Sequence, residues 1–304
     1  MWANPKPSGW IVIDKPEGLT STRVVECVRR ATGAKAGHAG TLDPLATGVL
    51  PIAVGEATKT IAYAVNGPKR YRFRIKWGVA RSTEDCEGEI VAESRHRPNR
   101  QDVEKMLPKF IGTITQTPPA YSAIKVAGRR SYALARAGQK PCLTARPVEI
   151  FDLRLIEMPN PEIADLEATV GKGTYIRALA RDIAEALGTL GHIAALRRLS
   201  VGPFTEEHAV PLVAAVGEQH ILPSCELLLP VEAVLTKIPA LVLARGEAAR
   251  LRCGQRVALD GSAELVETNL PGAGTVVAAW DDRALVALAM VEDGNLRPLR
   301  VLNL

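Results

Sequence analysis

Residues 37–50 read Gly37-His38-Ala39-Gly40-Thr41-Leu42-Asp43-Pro44-Leu45-Ala46-Thr47-Gly48-Val49-Leu50, with three glycines and a proline among the first twelve. That density of chain-breaking residues predicts a loop that yields to regular structure only at Val49. Asp43 followed by Pro44 is a common turn initiator, so the pair taken alone describes a turn. The segments on either side read as structured. Upstream, residues 9–14 are an apolar run that meets Lys15-Pro16, the pattern of a buried strand entering a turn. Ser21 then offers an N-cap for a helix with Val24, Val25 and Val28 at helical spacing, and Gly33 is its stop.

Downstream, an apolar stretch ends near Val54, a helix is expected over residues 56–65, and residues 69–77 alternate strictly between basic and apolar. Tyr71, Phe73, Ile75 and Trp77 make one face of that predicted strand. Arg70, Arg72, Arg74 and Lys76 make the other, available to phosphate or to water. A short helix is expected over 101–111, ending at Gly112. Residues 115–146 are a polar, basic insertion with Pro118-Pro119 and a helix over 131–138, expected to project from the body. Strands are predicted over 148–157 and 163–170, and Thr174 is placed as the cap of a helix whose Ile176, Leu179, Ile183 and Leu187 form one stripe, stopped by Gly188. A turn-rich stretch with Pro203, Pro211, Pro223 and Pro230 then separates a body of residues 1–230 from a tail of 236–304 that reads as a compact β module.

The chain has 304 residues, 47% hydrophobic and 23% charged, which is the balance of an ordinary globular protein. Lys and Arg outnumber Asp and Glu 38 to 33, and because the tail carries eight of each sign, the whole excess lies upstream. A polyanionic partner fits this, though so does simple solubility. The five cysteines form no C-x-x-C pair, so neither a zinc site nor a disulfide framework is indicated. No signal-peptide pattern and no long apolar run is present, which sets the expectation of a cytoplasmic protein without membrane contact. P-loop and dinucleotide-type glycine loops are absent, against a nucleotide-dependent enzyme.

The 37–50 loop resembles, nearly residue for residue, the signature loop of the TruB family of tRNA pseudouridine-55 synthases. Further matches follow in family order along residues 11 to 204: Asp14-Lys15-Pro16 with Gly18 and Ser21, then Gly55-Glu56-Ala57-Thr58-Lys59, Lys69-Arg70-Tyr71, Gly173-Thr174-Tyr175-Ile176-Arg177 and Leu196-Arg197-Arg198-Leu199. The resemblance implies an α+β pseudouridine synthase fold, with a mixed, largely antiparallel sheet and flanking helices. It implies a reaction that cuts the bond from ribose C1′ to uracil N1, turns the base and rejoins it through C5.

By the same resemblance Asp43 is the catalytic carboxylate and Arg177 the guanidinium beside it. Tyr71 is the tyrosine that stacks on the target uracil and helps remove the C5 proton. His38 is the histidine at the gap left by a flipped base, Tyr175 and Leu196 line the uracil pocket, and Lys15 sits beside the catalytic loop. Arg181, one turn after Arg177, reads instead as a solvated helix arginine. One departure stands out: after Gly78 the family shows a Thr-Asp-Thr run, where this chain has Arg81-Ser82-Thr83, so a role tied to that aspartate has no evident bearer.

The tail resembles the family's PUA domain, a small RNA-binding β-barrel, with Arg245, Arg250, Arg252 and Arg256 as candidate phosphate contacts. The expected partner is tRNA, gripped at the T-arm by the body and at the acceptor stem by the tail. The enzyme is expected to act as a monomer with no cofactor or metal. The alternatives are a pseudouridine synthase acting on another RNA, against which the 115–146 insertion speaks, and an RNA-binding or RNA-folding protein without turnover.

Overall fold

The strand Lys69–Trp77 shows how the body is organised. Its apolar face is buried, with Phe73, Ile75 and Trp77 at 2% exposure or less, while Arg70, Arg72 and Lys76 are exposed. In the computed structural model, residues 7–126, 128–139, 141–216, 227–259, 264–265, 272–282 and 284–304 are described; the predicted turn residue Pro223 and the thiol of Cys225 lie outside them. Lys69–Trp77 lies near the middle of a ten-stranded sheet whose main path runs Val210–Pro211, Gly9–Lys15, Thr47–Val54, Gly191–Val201, Lys69–Trp77, Ile163–Val170, Arg146–Asn160 and Gly112–Gln116. Two pairings are parallel: Val210–Pro211 with Gly9–Lys15, and Gly191–Val201 with Thr47–Val54. The other pairings along the path are antiparallel. The helices Ser21–Thr32 and Ile176–Ala186 cover one face, with Val24, Val28, Leu179 and Ile183 in the same core as the Phe73 face. This is the mixed, largely antiparallel α+β architecture expected.

Two caps differ from the reading of the sequence. Thr20 is the N-cap of the first helix, its hydroxyl accepting from Arg23 N at 3.1 Å. Ser21 is thereby freed to bond at long range. Its Oγ accepts from Leu42 N at 2.8 Å and donates to Leu42 O at 3.0 Å, one residue before Asp43. In the later helix Tyr175 occupies the cap position without a side-chain cap bond. The Gln116 amide takes that place from the neighbouring strand, accepting from Tyr175 N at 2.9 Å and donating to Tyr175 O at 3.2 Å.

The basic face of Lys69–Trp77 is engaged mainly by protein. Arg70, Arg72 and Arg154 all converge on Glu167, whose side chain is 2% exposed, and Arg74 makes a bidentate pair with Asp165 at 2.7 and 2.8 Å. Burial alone would raise the Glu167 carboxyl, but bonds from the three arginines hold it below its ordinary value. For Arg70, Arg72 and Arg74 these carboxylates lie more than 90 residues later in the chain, which is why alternation within one strand gives no sign of them.

The tail folds as a curled half-barrel sheet in the order Val257–Ala258, Asn295–Val301, Leu285–Glu292, Val276–Trp280, Ala240–Val242 and Glu264–Leu265, with the helix Arg245–Arg252 against it. It shares a core with the body, where Trp10, Val12, Val49 and Phe204 meet Ala278, Leu285, Leu288 and Leu302. Lys59 Nζ donates to Val301 O at 2.8 Å and Asn303 N to Glu56 Oε2 at 2.7 Å across the same contact. Of the four tail arginines named as candidate phosphate contacts, Arg252 pairs with Asp281, while Arg245 and Arg256 stand 3.8 Å from Asp282 and Glu292.

Gly48 is required where the parallel pair forms: its φ is +98°, and a Cβ there would lie 2.3 Å from Arg198 O. Gly112 has a similar φ of +100° but open space around the same position. Gly48→Ala should therefore lower stability by about 2–4 kcal/mol and Gly112→Ala by about 1 kcal/mol, measured by urea unfolding at constant m. Equal losses for the two would contradict the close backbone approach at Gly48.

Candidate active site

The loop that carries Asp43 is shorter than its composition suggests. Gly37 and His38 belong to a short strand, Ala36–His38, paired antiparallel with residues 52–54, and Thr47–Val54 already includes Gly48. Positive φ at Gly40 (+104°) helps the chain reverse within residues 39–46, with Ala46 N closing a turn on Asp43 O at 3.1 Å, and Gly48 (+98°) follows at the start of the next strand.

Three side chains from distant segments hold this loop by its backbone. Ser21 grips Leu42, as above. Lys15 is wholly buried and donates to three carbonyls: Pro16 O at 2.8 Å, Leu19 O at 2.7 Å and Pro44 O at 3.1 Å. Burial lowers its pKa to about 8, with the Asp43 charge pulling the other way. Arg198, 1% exposed, donates to Gly40 O at 3.0 Å and Val49 O at 2.8 Å, so one guanidinium ties both ends of the loop.

A fourth side chain grips Asp43 itself. Arg177, in the first turn of Ile176–Ala186, donates from Nε to Asp43 Oδ2 at 2.9 Å and from Nη2 to Oδ1 at 3.1 Å. The arginine side chain is 4% exposed and the carboxylate 33%, so the acid faces outward from a buried cationic base. Arg177 also donates to Thr83 O at 2.8 Å and Tyr121 O at 2.9 Å, and lies 3.6 Å from Asp85 Oδ2. Every edge of the guanidinium is used, which fixes its plane and hence the orientation of the acid.

Asp85 is a site residue that the sequence motifs do not reveal. It is 3% exposed, accepts from Glu87 N at 3.1 Å and from the Thr83 hydroxyl, and supplies the second carboxylate on Arg177. The acid stands two residues beyond Thr83, outside the Arg81-Ser82-Thr83 run in which the family pattern places its aspartate. Arg181 is not the solvated arginine that its helix position implies. Its side chain is 23% exposed, donating to Glu84 Oε1 at 2.5 Å, Asp182 Oδ1 at 2.9 Å and Thr117 O at 2.9 Å.

Tyr71 and Leu196, 8% and 7% exposed, stand on adjacent strands of one face, in register with Arg198 and Phe73 respectively. Tyr175 is half-buried two residues before Arg177, with the Arg146 guanidinium 5.5 Å from its ring centre. His38 is half-buried rather than a plain surface residue. Its Nδ1 is buried without a hydrogen-bond partner among the described residues, and burial together with the Arg198 charge lowers the imidazole pKa, which favours the neutral ring. Among the described residues no hydrogen bond joins Tyr71, His38 or Leu196 to Asp43; Tyr71 and Leu196 share a sheet face, and His38 pairs with Ile52 where the loop begins. A partly exposed carboxylate aimed by a buried guanidinium can attack an electrophilic carbon, and aromatic side chains such as Tyr71 and His38 can stack on a planar base.

Residues 29–176 match the model of the TruB family pseudouridylate synthase N-terminal domain, and residues 177–236 that of the tRNA pseudouridylate synthase B C-terminal domain. The chain is 51% identical to the tRNA pseudouridine synthase B of Rhodospirillum rubrum over 97% of its own length and 96% of that protein's. It is 48% identical to the one from Caulobacter vibrioides over 98% and 96% of the two lengths. Among solved structures, the fold is shared with a chain of a Cbf5-Nop10-Gar1 complex at TM-score 0.71 and 25% identity, covering 93% of this chain and 78% of that one. It is shared also with a chain of an H/ACA RNP bound to a substrate RNA containing 2′-deoxyuridine, at TM-score 0.74 and 23% identity, covering 99% and 92%. With family matches running unbroken through the Asp43 loop and Arg177, and near-full-length relatives at half identity, the chain belongs to the TruB family of tRNA pseudouridine synthases.

Proposed function

We propose that this tRNA pseudouridine synthase acts on uridine 55 of the T-loop, with Asp43 as its nucleophile. The observation that carries the reading is the Asp43–Arg177 pair, in which the acid is open to a substrate and its cationic partner is not. A uridine stacked in the loop cannot reach this carboxylate, so the nucleotide is flipped out and stacking is lost. The neutral imidazole of His38 suits the gap left behind. The flipped uracil stacks on Tyr71, with Tyr175 and Leu196 lining its pocket.

An Asp43 oxygen attacks ribose C1′ as the C1′–N1 bond breaks, and the uracil leaves with the bonding electrons on N1. After the base turns, C5 bonds to C1′ and the carboxylate departs. The C5 proton is removed with the help of the Tyr71 phenol, and N1 takes up a proton. Atoms and charge balance within the substrate, so the scheme calls on no cofactor or metal. Lys15 acts by holding the loop at Pro44. The insertion and the PUA-like tail extend the grip to the T-arm and acceptor stem, with the protein acting as a cytoplasmic monomer.

Tritium release from a tRNA transcript labelled at uracil C5 tests the reaction and the acid together. Release by the parent, none by Asp43→Asn, and none from a transcript with cytidine at the T-loop position is the expected result. A well-folded parent that binds this tRNA without releasing label would refute the assignment. Arg177→Lys keeps a cation but loses the bidentate geometry, and should slow single-turnover conversion about a hundredfold with tRNA affinity little changed. A loss confined to affinity would speak against the positioning of Asp43. Carbon NMR of the Lys15 ε position should show a midpoint of about 8. Because the Asp43 charge raises that value, Asp43→Asn should move it lower still, and an upward movement would contradict the proximity of the two groups.

A further inference from the structure

Arg181 makes, one helical turn beyond Arg177, a set of bonds that repeats the pattern of its neighbour. Arg177 binds the carbonyls of Thr83 and Tyr121; Arg181 binds the Glu84 carboxylate and the carbonyl of Thr117. Residues four apart share one face of a helix, so the two guanidiniums stitch the same two segments to the helix at successive levels. Between Thr83 and Asp85, both of which face Arg177, stands Glu84. Its φ is +63°, a left-handed conformation that a glutamate adopts only when the surroundings impose it.

The surroundings are specific. Glu84 O accepts from Ile193 N at 3.1 Å, Glu84 N donates to Arg81 O at 3.0 Å, and one carboxylate oxygen is bound by Arg181 while the other is buried without a hydrogen-bond partner among the described residues. Removing Arg181 would leave that carboxylate unsatisfied in a low-dielectric site beside Asp182, where the favourable response is to swing outward to water. Such a swing turns the backbone at residue 84, and Thr83 O and Asp85 leave the Arg177 guanidinium.

We infer that Arg181 is a positioning residue for the reaction: by clamping Glu84 it holds the 83–85 turn in its left-handed form, and so keeps Thr83 and Asp85 against Arg177. The inference rests on the proposed roles of Asp43 and Arg177. It differs from a purely structural ion pair in predicting that the damage lies in the turn, and that a residue at ease with positive φ relieves it.

The test is single-turnover pseudouridine formation at saturating tRNA, with tRNA Kd and Tm measured alongside, for Arg181→Met, for the double variant Arg181→Met/Glu84→Gly, and for Asp43→Asn. Arg181→Met should lower the rate about ten- to hundredfold while Kd stays within about threefold. The double variant, with no carboxylate to bury and a glycine free to adopt the left-handed turn, should recover about tenfold of that loss. An Arg181→Met rate within about threefold of the parent, a loss carried by Kd, or a loss that Glu84→Gly does not relieve would each overturn the role of Arg181. If Arg181→Met does not fold, Arg181→Lys takes its place: a rate within about threefold of the parent supports the clamp on Glu84, and a larger loss at unchanged Tm overturns it. An inactive Asp43→Asn beside a full-rate Arg181→Met defeats this inference alone, whereas an active Asp43→Asn defeats the reading beneath it.

Discussion

A buried guanidinium is stable only if its hydrogen bonds are satisfied and its charge is met, and that requirement at Arg177 sets the arrangement of the site. Its bonds reach Asp43, Thr83 O and Tyr121 O, with the Asp85 carboxylate close by, so segments far apart in sequence converge on one side chain. Removing one partner of such a cluster typically costs several kcal/mol, because the charge left behind stays buried. The cluster therefore constrains the loop, the 83–85 turn and the start of the insertion together. Between its two carboxylates, Asp43 opens to solvent and Asp85 does not, an asymmetry that under the proposed function separates the group that reacts from the group that holds.

The loop itself contributes little to its own shape. Ser21, Lys15 and Arg198 reach its backbone from the first helix, the first strand and the Gly191–Val201 strand, while Gly48 allows the close approach to Arg198 O and Gly40 the positive φ that the loop needs. Two of the three are buried cations that bond carbonyls rather than carboxylates. Burial first, and the Arg198 charge with it, lowers the pKa of both Lys15 and His38, so the region beneath the loop favours neutral imidazole at His38. The sheet gives these bonds fixed anchor points, which is how a breaker-rich segment can hold a carboxylate in one orientation.

Where one local period dominates, the sequence and the structure agree. The alternation of Lys69–Trp77, the stripe of Ile176, Leu179 and Ile183, and the strands at Arg146–Asn160 and Ile163–Val170 are all legible for that reason. The Gly191–Val201 strand carries no such signal, although it lies beside Lys69–Trp77 in the sheet. Bulges at Ile193/Ala195 and Arg198/Ser200 break its alternation, and a buried Arg198 inverts the expected polarity. The site residues stand in the family motifs, while the partners that sit across the sheet or beyond a turn are hidden. Glu167 gathers three arginines from two strands, Asp85 lies past the nearest motif, and Arg181 looks like a solvated helix residue until Glu84 and Thr117 are brought to it. Long-range polar pairing leaves no periodic trace along the chain.

Under the proposed function, the sheet face with Tyr71 and Leu196, the outward carboxylate and the half-buried His38 receive one extruded base, and the central claim is that the target uridine reacts at Asp43. A crystal structure of Asp43→Asn bound to a T-arm stem-loop RNA tests this directly. The account predicts the target nucleotide flipped from its stack, its uracil against the Tyr71 ring and its C1′ within about 3.5 Å of the residue 43 side chain. A uridine still stacked in the loop, or held away from residue 43 with Arg177 undisturbed, would contradict it.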